Sequence, residues 1–134
     1  MAVSNVPIFT QTPYLVNSQA TVANTNIDGA TGTYVTIATG ATNGTRIDRL
    51  TFTSISTTAA GQLRIYLYDG STTRLWKTIA TAAVTPSGTV QPATYTIGGI
   101  GASSLGLNLS SGSTLKFAPY NSETWNCACE GTSF

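Results

Sequence analysis

Histidine is absent from this chain. With it goes the side chain that most often acts as a general base near neutral pH, orients a serine or cysteine nucleophile, or binds a transition metal. Charge is scarce as well. Six Lys and Arg and five Asp and Glu make up 8% of 134 residues, where a soluble protein carries about a quarter. The net charge is +1, and the cations are scattered among acids, so no basic stripe is available to follow a phosphate backbone and nucleic acid is not an expected partner. No stretch approaches the ~20 apolar residues of a membrane span, and Met1-Ala2-Val3-Ser4-Asn5 lacks the positive and apolar regions of a secretory leader. The expected site of synthesis is the cytoplasm, with no membrane partner.

The few acids do not assemble a catalytic pair in the sequence. Asp28 and Asp69 each precede glycine in turn contexts, and Asp48 sits between Arg46 and Arg49. Glu123 and Glu130 flank the last strand and would stand roughly 20 Å apart at about 3.3 Å per residue. A glycosidase needs its two carboxyls within about 5 to 10 Å. Cys127 and Cys129 fall on one face of one strand, with Cα atoms about 6.7 Å apart and poorly aimed Cβ vectors. They read as small apolar side chains facing the core beside Trp125, with neither a disulfide nor a metal site expected. Gly98-Gly99-Ile100-Gly101 is a glycine-rich turn without the helix of a phosphate loop. Asp28-Gly29 lacks the acidic ligands of a calcium loop. No catalytic residue, cofactor or metal is expected, and the chain is not expected to be an enzyme.

What the sequence does contain is threonine, roughly a fifth of the residues, with 13 Gly and 5 Pro as punctuation. Thr is β-branched and favours strands. Runs of strand character follow one another from Thr33: 33–38, 46–55, 62–68, 73–81, 93–97, 104–109, 114–119 and 124–130. Asn43-Gly44 predicts a hairpin between the first two, with a bulge near Asp48 or Arg49 to reconcile the parity of Ile47 and Leu50. Leu63, Ile65 and Leu67 alternate with Arg64, Tyr66 and Tyr68. Leu75 and Ile79 share a parity with Lys77, which leaves the register of that strand open. The stretch from Val84 to Pro92 is expected to cross between sheets. About eight short strands on one core predict an all-β, antiparallel β-sandwich of jelly-roll type, with an immunoglobulin-like sandwich or a small barrel as rivals.

Residues 1–18 read as an extended N-terminal arm ahead of one domain at 19–134, because Pro7 and Pro13 cannot donate to a ladder. The arm is apolar through Val6, Pro7, Ile8, Phe9, Pro13 and Tyr14, too much so for a free tail. Two readings stand: a first strand on its own domain, or an arm lying along a neighbouring chain. On the second, removing residues 1–16 should leave a folded domain that no longer holds its partner. Arg64, Tyr66, Tyr68, Arg74 and Trp76 form a candidate face that could pack under a partner subunit or stack on sugar rings, with scattered surface aromatics of no functional consequence as the third reading.

Two stretches carry a family resemblance. One runs from Asn43-Gly44-Thr45-Arg46-Ile47-Asp48-Arg49-Leu50 through Gly61-Gln62-Leu63-Arg64-Ile65-Tyr66-Leu67-Tyr68-Asp69-Gly70, and the other from Gly112-Ser113-Thr114-Leu115 to Cys129-Glu130-Gly131. Together they cover about half of the chain and resemble small virion proteins of tailed bacteriophages, in particular jelly-roll decoration or cement proteins. The resemblance implies a homotrimer on the outer capsid surface that locks neighbouring major capsid subunits, made in the host cytoplasm. A carbohydrate-binding or receptor-binding module, and a tail or baseplate component, are the alternatives at this point.

Overall fold

The chain is all-β. The computed structural model describes residues 12–29, 31–99 and 101–134, and among them there is no α-helix. The strands are β1 (Thr12–Ala20), β2 (Val35–Thr39), β3 (Thr45–Ser54), β4 (Gly61–Tyr68), β5 (Thr73–Thr81), β6 (Thr94–Gly98), β7 (Leu107–Leu109), β8 (Thr114–Pro119) and β9 (Trp125–Ser133), with a 3-10 turn at Gly101–Ser103 between β6 and β7.

They form a β-sandwich of two antiparallel sheets. One has the order β1-β9-β3-β6, with β7 also on β3; the other has the order β2-β8-β4-β5. The pairings are nested: β1 with β9, β2 with β8, β3 with β7 and β6, and β4 with β5. β3 also pairs with β9 and β4 with β8, which completes the two sheets. The stretch from Val84 to Pro92 does cross between sheets, joining β5 to β6.

The hairpin expected at Asn43-Gly44 does not form. β2 and β3 belong to different sheets, and the turn there, closed by Gly44 N–H on the Ala41 carbonyl at 2.9 Å, carries the chain from one sheet to the other. A two-residue turn signal fixes a reversal but not which sheet receives the second strand. The bulge expected at Asp48 or Arg49 is present, because the β3–β9 register shifts between Ile47 and Arg49. The displaced Asp48 gathers the β6–β7 connection: its carbonyl accepts from Gly99 N–H at 3.1 Å and Leu105 N–H at 2.8 Å, and its carboxylate accepts from Ser104 and from Arg46.

The core lies between the sheets. Ile47, Leu50, Phe52, Leu63, Ile65, Leu115, Phe117, Trp125, Cys127 and Cys129 are fully buried, and the larger of these each contribute roughly 1.5–3 kcal/mol relative to exposure. Phe52 and Phe117 meet edge-on across the sandwich at 5.3 Å between centroids, and both cysteines share the core with Trp125 as their parity predicts.

Of the expected arm, Val6, Pro7, Ile8 and Phe9 lie outside the described residues. Pro13 and Tyr14 are in β1, so the boundary drawn at residue 18 falls inside a strand. β1 pairs with β9 from Thr12↔Ser133 to Ala20↔Trp125. Tyr14 and Val16 pack against the core, and the Tyr14 hydroxyl accepts from Thr39 N–H at 3.2 Å, tying β1 to β2. A cut after residue 16 would therefore remove part of the sandwich.

Candidate functional site

The five residues expected to share one face do not. Alternation along β4 does put Arg64, Tyr66 and Tyr68 opposite Leu63, Ile65 and Leu67, on the outer side of the four-stranded sheet. At Arg64 and Tyr66 that side is covered, however, by Asn24, Asn26 and Tyr34 from the connection between β1 and β2. Tyr66 is fully buried: its hydroxyl donates to the Asn26 carbonyl at 2.9 Å, and its ring meets Tyr34 edge-on at 4.7 Å. Burial pushes the Tyr66 phenol above its ordinary value, with the Arg64 charge opposing. Arg64 is 7% exposed, and its Nη1 donates to the Asn24 carbonyl.

Asn24 organises this cover. Its N–H donates to the Pro119 carbonyl at 2.8 Å, and its side-chain amide bonds to Thr31, Thr33 and Asn26. Gly29, at φ +76°, comes so close to β5 that a Cβ would stand 2.9 Å from the Thr73 carbonyl oxygen.

A second bulge separates the remaining three. The β4–β5 register shifts at Ile65/Tyr66, so that Ile65 pairs with Lys77 and Tyr66 with Leu75. Trp76 falls in the gap and packs against the core. The parity shared by Leu75, Lys77 and Ile79 is broken there, because Leu75 now lies opposite Tyr66 and Ile79 opposite Leu63. Arg74 and Trp76 line a small hollow with Leu67, Asp69, Thr72 and Leu75, while Tyr68 holds the Lys116 ammonium over its ring at 4.9 Å.

The acids are occupied by structural tasks. Glu123 is buried and accepts from Ala59 N–H at 2.6 Å and from the Trp125 indole at 2.9 Å. Glu130 pairs with Arg49, and Asp48 with Arg46. Asp69 caps its own turn by accepting from Thr72 and Ser71 N–H, which holds its carboxyl below the usual range. Asp28 accepts from Thr31. No cluster of three or more His, Cys, Asp or Glu is placed to hold a metal among the described residues. Both cysteines are free and buried; burial raises both thiols, that of Cys129 to about 12 with the charges of Glu130 and Asp48 adding to it.

The outer side of the five-stranded sheet, which sequence reading did not single out, carries a second ordered set of side chains. The registers align its outward residues in rows across four strands: Gln19, Asn126, Thr53 and Thr94 in one, and Asn17, Ala128, Thr51 and Thr96 in the next. Gln19 donates to Asn126 at 2.9 Å, and the small Ala128 leaves a shallow hollow of about 520 Å³ among these side chains. A third row runs through exposed Leu15 to the Glu130–Arg49 pair and a fourth through Pro13 and Thr132 to Arg46. The first two rows consist of hydroxyls, amides and one methyl, with no charge. Period-2 alternation within each run marks these positions as outward, but only the order β1-β9-β3-β6 brings them side by side. Comparison with protein-family models, curated proteins and solved structures finds no match to this chain.

Proposed function

We propose that this chain is a non-enzymatic virion structural protein of a tailed bacteriophage, which decorates the outer capsid surface and clamps neighbouring major capsid subunits. Its partners are the major capsid protein and further copies of itself, as a homotrimer, and it is made in the host cytoplasm before joining the virion. The observation that carries this reading is the position of β1. It is an edge strand among the described residues, it begins directly after the segment 1–11 that holds Val6, Pro7, Ile8 and Phe9, and its outward residues Asn17 and Gln19 head the two uncharged rows. An apolar segment joined to a sheet edge beside uncharged rows suits attachment to another protein.

The nested pairing supports the finer fold assignment. First with last, second with next to last, and so inward to a central hairpin is the order of a jelly roll, an architecture shared by viral capsid and lectin domains; fold alone does not assign the role. Burial of the apolar segment would contribute about 25 cal/mol per Å² before ordering costs, and repetition over a symmetric shell adds avidity.

The test is co-sedimentation with capsids assembled from the major capsid protein, together with the solution mass by light scattering. A trimer near three times 13.9 kDa that saturates capsids, and a variant lacking residues 1–11 that stays folded but no longer sediments with them, are the expected results. A folded full-length protein that ignores capsids at every concentration would defeat the reading.

A further inference from the structure

Arg64 is the most deeply buried cation among the described residues, and its hydrogen-bond partners are neutral. Nε donates to the Gln62 side-chain oxygen at 3.3 Å, Nη1 to the Asn24 carbonyl at 3.4 Å, and the guanidinium lies 5.2 Å from the Tyr120 ring centroid. The ion pairs Arg46–Asp48 and Arg49–Glu130 do not include it. A largely buried charge with neutral partners gains from a counter-charge that can reach it. Arg64 is not sealed on every side. It lines an open pocket of about 500 Å³ together with Ala60, Gly61, Gln62 and Tyr120, and Tyr120 is 42% exposed.

We propose that this pocket binds an acidic pyranose, a uronic or sialic acid residue, with Arg64 taking the carboxylate, Tyr120 packing against the sugar ring and Gln62 bonding its hydroxyls. Nε and Nη1 already donate to Gln62 and Asn24, so a carboxylate would take the remaining N–H groups of the guanidinium, which suit it in charge and geometry. Its cation–π contact with Tyr120 and the bond to Gln62 hold it in place before any ligand arrives, so little rotamer freedom remains to be lost. A lone protein carboxylate would leave the aromatic wall and the amide unused, whereas an acidic sugar uses both together with Arg64. Glu123, the acid bonded to neighbouring Ala59, has both oxygens engaged and does not compete for Arg64. The site is separate from β1 and the uncharged face, so it stands or falls independently of capsid attachment.

The experiment is calorimetric titration of the full chain with glucuronic acid, N-acetylneuraminic acid, glucose and a short Glu-rich peptide, at low and high salt. One of the acidic sugars should bind saturably and lose affinity with salt, while glucose does not bind. Tyr120→Ala should weaken binding about tenfold, and Arg64→Lys, which keeps the charge but loses the fork, by at least as much. Circular dichroism and thermal midpoints establish that each variant is folded, and Tyr120, being half-exposed, supplies a test even if Arg64 tolerates no change. Absence of binding by both acidic sugars up to about 10 mM, equal binding of glucose, or binding of the acidic peptide alone would each overturn the proposal.

Discussion

The Tyr66 hydroxyl donates to the carbonyl of Asn26 across 2.9 Å, joining β4 to a residue 40 positions earlier. That bond, with the Tyr34 ring set edge-on against Tyr66 and Asn24 bonded to Pro119, fastens the 21–34 connection over the sheet. Tyr66→Phe keeps the ring contact and removes only the hydroxyl, taking away the donor that the Asn26 carbonyl accepts from. The expected cost is about 1–3 kcal/mol. In hydrogen exchange the loss should concentrate in residues 21–34 rather than spread through both sheets. Uniform loss of protection would mean that the connection is not a separable cover.

The buried thiols should make the fold sensitive to alkali. Burial raises Cys127 and Cys129 above their unfolded value of 9.0, Cys129 to about 12. A group whose folded value is the higher one contributes stability that is complete below the unfolded value and is lost as pH rises through the folded one. The unfolding free energy measured in urea should therefore hold up to about pH 9 and then fall, by at most about 1.4 kcal/mol per pH unit for each thiol. The Cys127→Ala/Cys129→Ala variant should start less stable and decline less steeply above pH 9. Parallel declines would remove the thiols from the explanation. At about pH 8 a thiol reagent should label neither cysteine in the folded protein and both in urea.

Gly98 ends β6 at φ +81°, and a Cβ built there would lie 2.2 Å from the Asp48 carbonyl oxygen. That oxygen already accepts two bonds at the β3 bulge, so it cannot easily retreat. Gly98→Ala combines an αL penalty of about 1–2 kcal/mol with this clash. The variant should lose at least about 2 kcal/mol in chemical denaturation. Gly112→Ala serves as the control, since it also has positive φ but nothing within 4 Å, and should lose less. Equal losses would show that the approach to Asp48 does not matter.

Alternation and turn chemistry made the strands legible, because both are local. Thr73–Thr81 and Thr114–Pro119 fall where their runs predict, and the parity conflict between Ile47 and Leu50 revealed the Asp48 bulge. Partner choice was not legible. Asn43-Gly44 looks the same whether the next strand returns to its own sheet or enters the other, and that is decided by which apolar faces close the core. The candidate face from Arg64 to Trp76 failed for two reasons. Parity places Tyr66 on the side of β4 away from Leu63 and Ile65, but it carries no sign that residues 21–34 lie on top. The bulge that displaces Trp76 leaves no mark in a run whose parity was already ambiguous. The uncharged face needed the strand order before its rows could be seen.

The position of β1 sets where the N-terminal segment can be cut. Residues 1–11 precede the strand, whereas residues 12–16 supply the Thr12↔Ser133 to Val16↔Cys129 ladder and place Tyr14 and Val16 against the core. Removing 1–11 should leave the stability within about 0.5 kcal/mol of the full chain. Removing 1–16 also deletes the Tyr14–Thr39 tie, leaves the second half of β9 paired on its β3 side alone, and strips two partly buried side chains from the sandwich, so it should cost about 2–5 kcal/mol on the scale of core truncations. Denaturation of the two truncations side by side measures the difference. If the longer one proves as stable as the full chain, β1 is dispensable and loss of capsid binding by either truncation can be assigned to the segment alone; if it unfolds, only the shorter truncation tests attachment.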